Sequence, residues 1–260
     1  SHSSATIIAA FEAEMQRVGI EVITGQRVEK ILINAAKITG VQTQNESYLC
    51  ENLIVATGGL GYPVLGAEGD GYKLASELGH TITELSPAMM PLKTKESWVA
   101  NCKADTIAKV ELRVDIKKHK KLRATGDLIF TNTGIRGPVV LDFAREITPL
   151  LSKYAEVPLL LNLTKGKNEE EILQHLKNEA TKEPQKNLLE LLKTLLPEAL
   201  SKEICNLAEV AFDAKFAKLE GAKRAKLISL LAWTPLHIVG HDGFRMAMIT
   251  RGGVSLKEID

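Results

Sequence analysis

Two glycine clusters carry the chemistry that this sequence can offer. Thr57-Gly58-Gly59 is followed ten residues later by Gly69-Asp70-Gly71, in the stretch NLIVATGGLGYPVLGAEGDGYKLASELGH. An apolar run stops at a Thr-Gly-Gly turn, a glycine-rich loop follows, and a helical pattern comes next. That order presents backbone N–H groups to a phosphate-bearing ligand at a helix start. Glycine lacks Cβ, so the backbone can approach a ligand closely. The Thr57 hydroxyl can donate or accept. Asp70 is either a helix cap or an acceptor for ribose hydroxyls. An ordinary strand-to-loop turn would also account for the first cluster.

Other candidates are weaker. Gly134-Ile135-Arg136-Gly137-Pro138 can open a helix whose N–H groups and Arg136 hold an anion, or can be a plain cap with a solvent-facing arginine. His237 and His241 are four apart, but Gly240 and the alternating pattern oppose a helix, and no Glu follows the first histidine as a zinc protease requires. Thr250-Arg251-Gly252-Gly253-Val254 is a second glycine turn after a strand. His80 reads as a loop residue. No G-x-S-x-G, P-loop or strand-borne G-x-G-x-x-G occurs in the 260 residues.

The elements that must position these residues follow from periodicity. Ala5 to Val18 is an amphipathic helix, capped by Ser3 or Ser4 and ended by Gly19. Glu21–Thr24 reads as a short strand. Val28–Ile33, Lys37–Thr43 and Ser47–Cys50 read as an antiparallel meander. Leu53–Ala56 is continuous and apolar, as in a buried parallel strand. Asp70–Leu78 is a helix stopped by Gly79. Strands are expected at Met89–Lys93, Ile107–Ile116, Lys121–Ala124, Leu128–Thr131 and Val157–Leu163, with a helix over Arg136–Ile147. From Asn168 to Ala232, Lys, Glu and Leu dominate at helical spacing without a persistent heptad. Strands return at Leu236–Val239 and Arg245–Thr250.

Composition narrows the function classes. The net charge is +1, with 45% hydrophobic and 25% charged residues, ordinary for a globular protein. That balance gives no electrostatic argument for nucleic acid or membrane partners. Lys117, Lys118, Lys120 and Lys121 read as a solvated hairpin. No membrane-length apolar run and no secretory leader are visible. Cys50, Cys102 and Cys205 lack metal spacing and suit a reducing compartment, so a cytoplasmic location is expected.

Three segments, LIVATGGLGYPVLGAEGDGYKLASELGHTI, DLIFTNTGIRGPVVLDFA and HIVGHDGFRMAMITRGGVSLKEID, stand in order. Together they resemble the BaiN/YhiN-like family of bacterial flavoproteins, the NAD(P)/FAD-dependent oxidoreductases. The resemblance covers nearly the whole chain, and GGVSLKEID is its most specific part. It implies a mixed α+β and α/β fold: a partial, two-dinucleotide-fold FAD domain, and a β-rich domain carrying a helical insertion. The expected divisions are 1–86 for the partial FAD domain with the meander, 87–166 and 233–260 for the β-rich domain, and 167–232 for the insertion. The resemblance places Ala56, Thr57, Gly58 and Gly59 beside FAD, Asp70 near its ribose and pyrophosphate, and Gly252 and Gly253 on the flavin side. It departs at Asn132-Thr133, where a Thr-His or similar pair is expected. It also implies that the chain is an interior portion, since the family's G-x-G-x-x-G strand and closing glycine-rich stretch are absent. Alone it would not retain FAD or activity. The reading is flavin-mediated hydride or electron transfer on a small molecule. A binding module without redox activity and a non-redox nucleotide binder remain as alternatives.

Overall fold

The computed structural model describes residues 3–259. Two units emerge from the contacts: Ser1–Ala56 with Gly71–Thr81, and Thr57–Asp70 with Ile82–Asp260.

In the first unit, α1 (Ser4–Val18) starts where the Ser3 side chain accepts from the Ala5 N–H at 3.3 Å. It ends where Gly19 turns left-handed at φ 73°, a conformation that costs glycine little. Three antiparallel strands follow: β1 (Val28–Asn34), β2 (Lys37–Thr43) and β3 (Ser47–Leu49). The β1–β2 turn uses Ala35 and Ala36, both at positive φ, as a tight two-residue hairpin demands. Helix α2 (Asp70–Glu77) ends before Gly79 at φ 95°.

Two expected strands are corrected here. Residues 21–24 and Leu53–Ala56 form no regular element and join no ladder among the described residues. The second run is not buried either, since Ile54 is 90% exposed. An apolar run sets the tendency to extend, but a strand also needs a neighbour to accept its hydrogen bonds.

The second unit is built on a closed six-stranded barrel. Its strands are β5 (Leu92–Thr94), β6 (Thr106–Val114), β7 (Arg123–Phe130), β8 (Gly134–Arg136), β9 (Val157–Asn162) and β10 (Thr234–His241), following β4 (Ile82–Ala88) in the chain. The order around the barrel is β10-β5-β8-β7-β6-β9, antiparallel throughout. Leu112, Leu128, Phe130, Leu159, Leu161, Leu236 and Ile238 are fully or almost fully buried, alternating with less buried neighbours as period-2 strands require. Helix α3 (Pro138–Leu151) packs on β7, where Gly126 lets Val139 approach. The final strand β11 (Ile249–Val254) pairs, among the described residues, only with β4.

Between β9 and β10 comes the helical block: α4 (Glu169–Lys182), α5 (Leu188–Leu192), α6 (Glu198–Ala208) and α7 (Gly221–Ala232). Asn168 with Glu171, and Asn187 with Glu190, form reciprocal capping boxes. Ile172, Leu176, Leu188, Leu192, Ile204 and Leu231 join the barrel core in one apolar cluster.

Several expected boundaries move. Lys121–Ala124 and Leu128–Thr131 are one strand, β7, because Gly126 and Asp127 stay extended beside β6. Arg136 ends β8 rather than opening a helix, since β8 is held between β5 and β7 until Gly137 turns at φ 106°. Gly243–Arg245 is a short helical turn, so the last strand begins at Ile249. Strand β4 escapes sequence reasoning, because Glu84 and Pro87 break its apolar pattern.

Candidate functional site

The loop from Thr57 to Gly69 is pinned to the far end of its unit. The Leu60 N–H donates to Thr250 Oγ1 at 2.8 Å, and the Tyr62 N–H donates to the Phe244 carbonyl at 3.0 Å. Gly61 lies so close to the Ala247 carbonyl that no Cβ could stand there. The Thr-Gly-Gly turn is thereby tied to the segment that leads into Gly252 and Gly253, some 190 residues away in sequence. Thr250 earns its place as an acceptor, a role the sequence did not assign it.

Within this frame the predicted residues differ in character. Gly58 is exposed at φ 75°, with only the Ala67 Cβ near the place a side chain would take. Among the described residues, the Gly58 and Gly59 N–H groups donate to no protein acceptor. Asp70 is the first residue of α2, where a carboxylate favours the positive helix end. Gly252, at φ 94°, backs onto the Glu84 carbonyl, which a Cβ would meet at 2.1 Å. Strand pairing alone therefore demands glycine at 252. Gly253 is buried at φ 124°, at an irregularity in the β4–β11 register. Arg251 and Gly252 line a cleft of about 490 Å³ with Thr83, Glu84, Ser86 and Thr148. Ala56 belongs to the first unit and is exposed.

The histidines sit on β10 without helical spacing. The His237 backbone N–H and Nδ1 both face the Glu96 carboxylate, Nδ1 at 2.7 Å from Oε1. His241 Nδ1 accepts from the Gly243 N–H at 3.0 Å, and burial holds its imidazole below the usual value, against the pull of Asp242. No group of three metal-ligating side chains occurs among the described residues. Cys102 and Cys205 are buried thiols pushed up by desolvation to about 12 and about 11, the first also by nearby Asp105 and Glu203. They are unsuited to nucleophilic work. No helix among the described residues is long and apolar enough to cross a membrane. The lysine run is the solvated β6–β7 hairpin, with a helical turn over Lys117–His119.

The barrel closed by β10, with four helices inserted before it, matches a family model described as the HI0933-like protein barrel and H2TH domain over residues 86–249. The chain belongs to the HI0933-like family. This is the flavoprotein oxidoreductase family, BaiN/YhiN-type, whose segments the sequence resembles. The chain is 25% identical over 259 residues to the 3-dehydro-bile acid delta(4,6)-reductase of Clostridium scindens, covering 100% of this chain and 63% of that protein. It is 27% identical to the ribosomal RNA dihydrouridine synthase of Haemophilus influenzae, covering 97% and 61% respectively. The synthase of the same name from Escherichia coli is 26% identical over 210 residues, 81% of this chain and 50% of that protein. The chain thus spans about three-fifths of the length of the first two curated relatives.

Proposed function

We propose that the whole protein carrying this HI0933-like chain is an FAD-dependent oxidoreductase acting on a small molecule. The observation that carries this reading is the pinned Thr57-Gly58-Gly59 turn, whose two glycine N–H groups point to no protein acceptor. Such donors, on a loop held at Leu60 and Tyr62, suit the phosphate or ribose oxygens of a dinucleotide. They fit FAD, and family membership gives that cofactor its chemical sense.

Bound flavin would supply acceptance and donation of hydride or single electrons. The chain's own residues would bind and orient it. Ala56, Thr57, Gly58 and Gly59 would lie along the cofactor. Asp70 would accept from ribose hydroxyls, since a carboxylate suits a sugar better than a bare pyrophosphate. Gly252 and Gly253 would keep the backbone low on the flavin side. The 260-residue chain alone would not retain FAD, and its three free cysteines suit the cytoplasm.

The test is purification of the whole protein and of this chain, each assayed for flavin absorbance and for bleaching by NADH or NADPH. The whole protein should be yellow and reducible, and the chain alone colourless. A colourless whole protein that FAD does not reconstitute would sink the reading.

Charge favours a second reading, in which RNA is the substrate. Residues 86–166 hold fourteen Lys and Arg against eight Asp and Glu, and two relatives are named as ribosomal RNA dihydrouridine synthases. Ribosomal RNA retained on filters, with affinity falling steeply as salt rises, would favour it.

A further inference from the structure

The turn between β7 and β8 is more rigid than a surface loop needs to be. The Thr131 N–H donates to the Gly134 carbonyl at 2.8 Å, and the Thr94 N–H donates to the Thr133 carbonyl at 3.0 Å. The Thr133 N–H donates to Thr131 Oγ1 at 3.3 Å. Gly134 lies against the Leu92 carbonyl, where a Cβ would stand at 2.1 Å. This turn forms one side of a cleft of about 410 Å³ at the edge of the barrel.

The lining is divided. Leu92, Phe130 and Met246 give it an apolar wall. Lys103, Asn132 and Arg136 bring donors to its rim, and among the described residues none of these three side chains has a hydrogen-bond or ionic partner. Among the described residues the only carboxylate in the lining is Asp242, and it is already engaged by Lys93 at 2.8 Å and Arg245 at 3.7 Å. A cleft with two exposed cations and an amide at its rim, none held by a protein partner, and an apolar wall behind them suits acceptors joined to an apolar body. The Arg136 guanidinium matches the paired oxygens of a carboxylate or phosphate. The braced turn means that little ordering is needed on binding.

We propose that this cleft binds a small molecule bearing a carboxylate or phosphate monoester on an apolar body, with Arg136 and Lys103 holding the oxyanion and Asn132 donating to it. The proposal concerns binding and does not depend on the flavin assignment.

Isothermal titration of the whole protein with 2-naphthoate, 2-naphthyl phosphate, neutral 2-naphthol and inorganic phosphate tests it. At least one naphthyl anion should bind saturably, about tenfold or more tighter than 2-naphthol and than inorganic phosphate, as charge-assisted bonds imply. Which anion binds more tightly identifies the carboxylate or the phosphate as the natural group. Arg136→Gln and Lys103→Gln should each weaken binding about tenfold or more. Lys177→Gln, on the exposed face of α4, should leave it unchanged. Three results would overturn the proposal: no saturable anion binding, equal affinity for 2-naphthol, or unchanged affinity in Arg136 and Lys103 variants that melt like the parent. Because the readout is heat of binding, flavin content does not enter it.

Discussion

Gly252 and Gly58 both carry positive φ, yet the structure assigns their side-chain-free positions different costs. At Gly58 a methyl group would find only the Ala67 Cβ, at 3.4 Å. Gly58→Ala should therefore cost only the left-handed backbone, about 1–2 kcal/mol. At Gly252 the new Cβ would stand 2.1 Å from the Glu84 carbonyl oxygen and 2.9 Å from its carbon. Backbone cannot swing aside as a side chain can. Gly252→Ala should add about 1–3 kcal/mol of overpacking to the same backbone cost. With about 2–4 °C lost per kcal/mol in a unit of this size, Gly58→Ala lowers Tm by roughly 2–8 °C and Gly252→Ala by roughly 4–20 °C. Thermal melts followed by circular dichroism give both numbers. A Gly252→Ala protein that melts with, or above, Gly58→Ala would refute the argument that β4–β11 pairing dictates glycine there. Flavin content then separates the roles: Gly58→Ala should lose cofactor out of proportion to its small loss of stability.

Thr250→Val keeps the shape but removes the acceptor of the Leu60 N–H, at a cost of about 1–2 kcal/mol. Amide exchange at Leu60 should quicken, and unchanged protection there would count against the pinned loop. Burial raises the Asp105 carboxyl, against the lowering effect of the Leu200 N–H that it accepts. A raised carboxyl stabilises the fold fully only below its unfolded value, and that contribution is lost as pH rises through the folded value. Asp105→Asn, which keeps an acceptor for Leu200, should melt higher than the parent at pH 7. The gap should close below about pH 4, near the unfolded value of an aspartate; a gap independent of pH would be the wrong outcome. Native protein titrated with a thiol reagent at pH 8 should expose Cys50 alone, with Cys102 and Cys205 reacting only after unfolding. Fast reaction of all three thiols would contradict the buried positions.

What was legible in the sequence was local. Ser3 and Gly19 bound α1 because caps depend on a few neighbouring residues. The meander was readable from alternation, and the helical block from its leucine spacing. Pairing across long separations was not readable. Nothing near Ile82 announces that β4 will meet β11 some 170 residues later, with the Thr83 hydroxyl donating to the Gly253 carbonyl. For the same reason Leu53–Ala56 reads as a strand by composition although it joins no ladder among the described residues. At the site, glycine type was informative, but its cause was not. Gly252 answers to the Glu84 carbonyl, whereas a Cβ at Gly58 would meet only the Ala67 Cβ, at ordinary contact distance. A single lysine after a buried cysteine, such as Lys103, has meaning only once the fold brings it to the same cleft as Arg136.

The insertion of four helices between β9 and β10 also sets a timetable for synthesis. Strand β10 is the neighbour of both β5 and β9, so the barrel stays open until residue 241 has been made. At about 5–20 residues per second, the stretch from Asn162 to His241 takes roughly 4–16 s. Through that interval β5 and β9 each present an unpaired edge of the kind that invites aggregation. The helical block is the part being made meanwhile. Its capping boxes at Asn168 and Asn187 let helices start from local sequence alone, and the Leu163 N–H donates to the Leu231 carbonyl at 3.2 Å, next to the closing β9–β10 pair. The growing chain thus makes its insertion before the strand that closes the barrel, and α7 ends two residues ahead of that last stave.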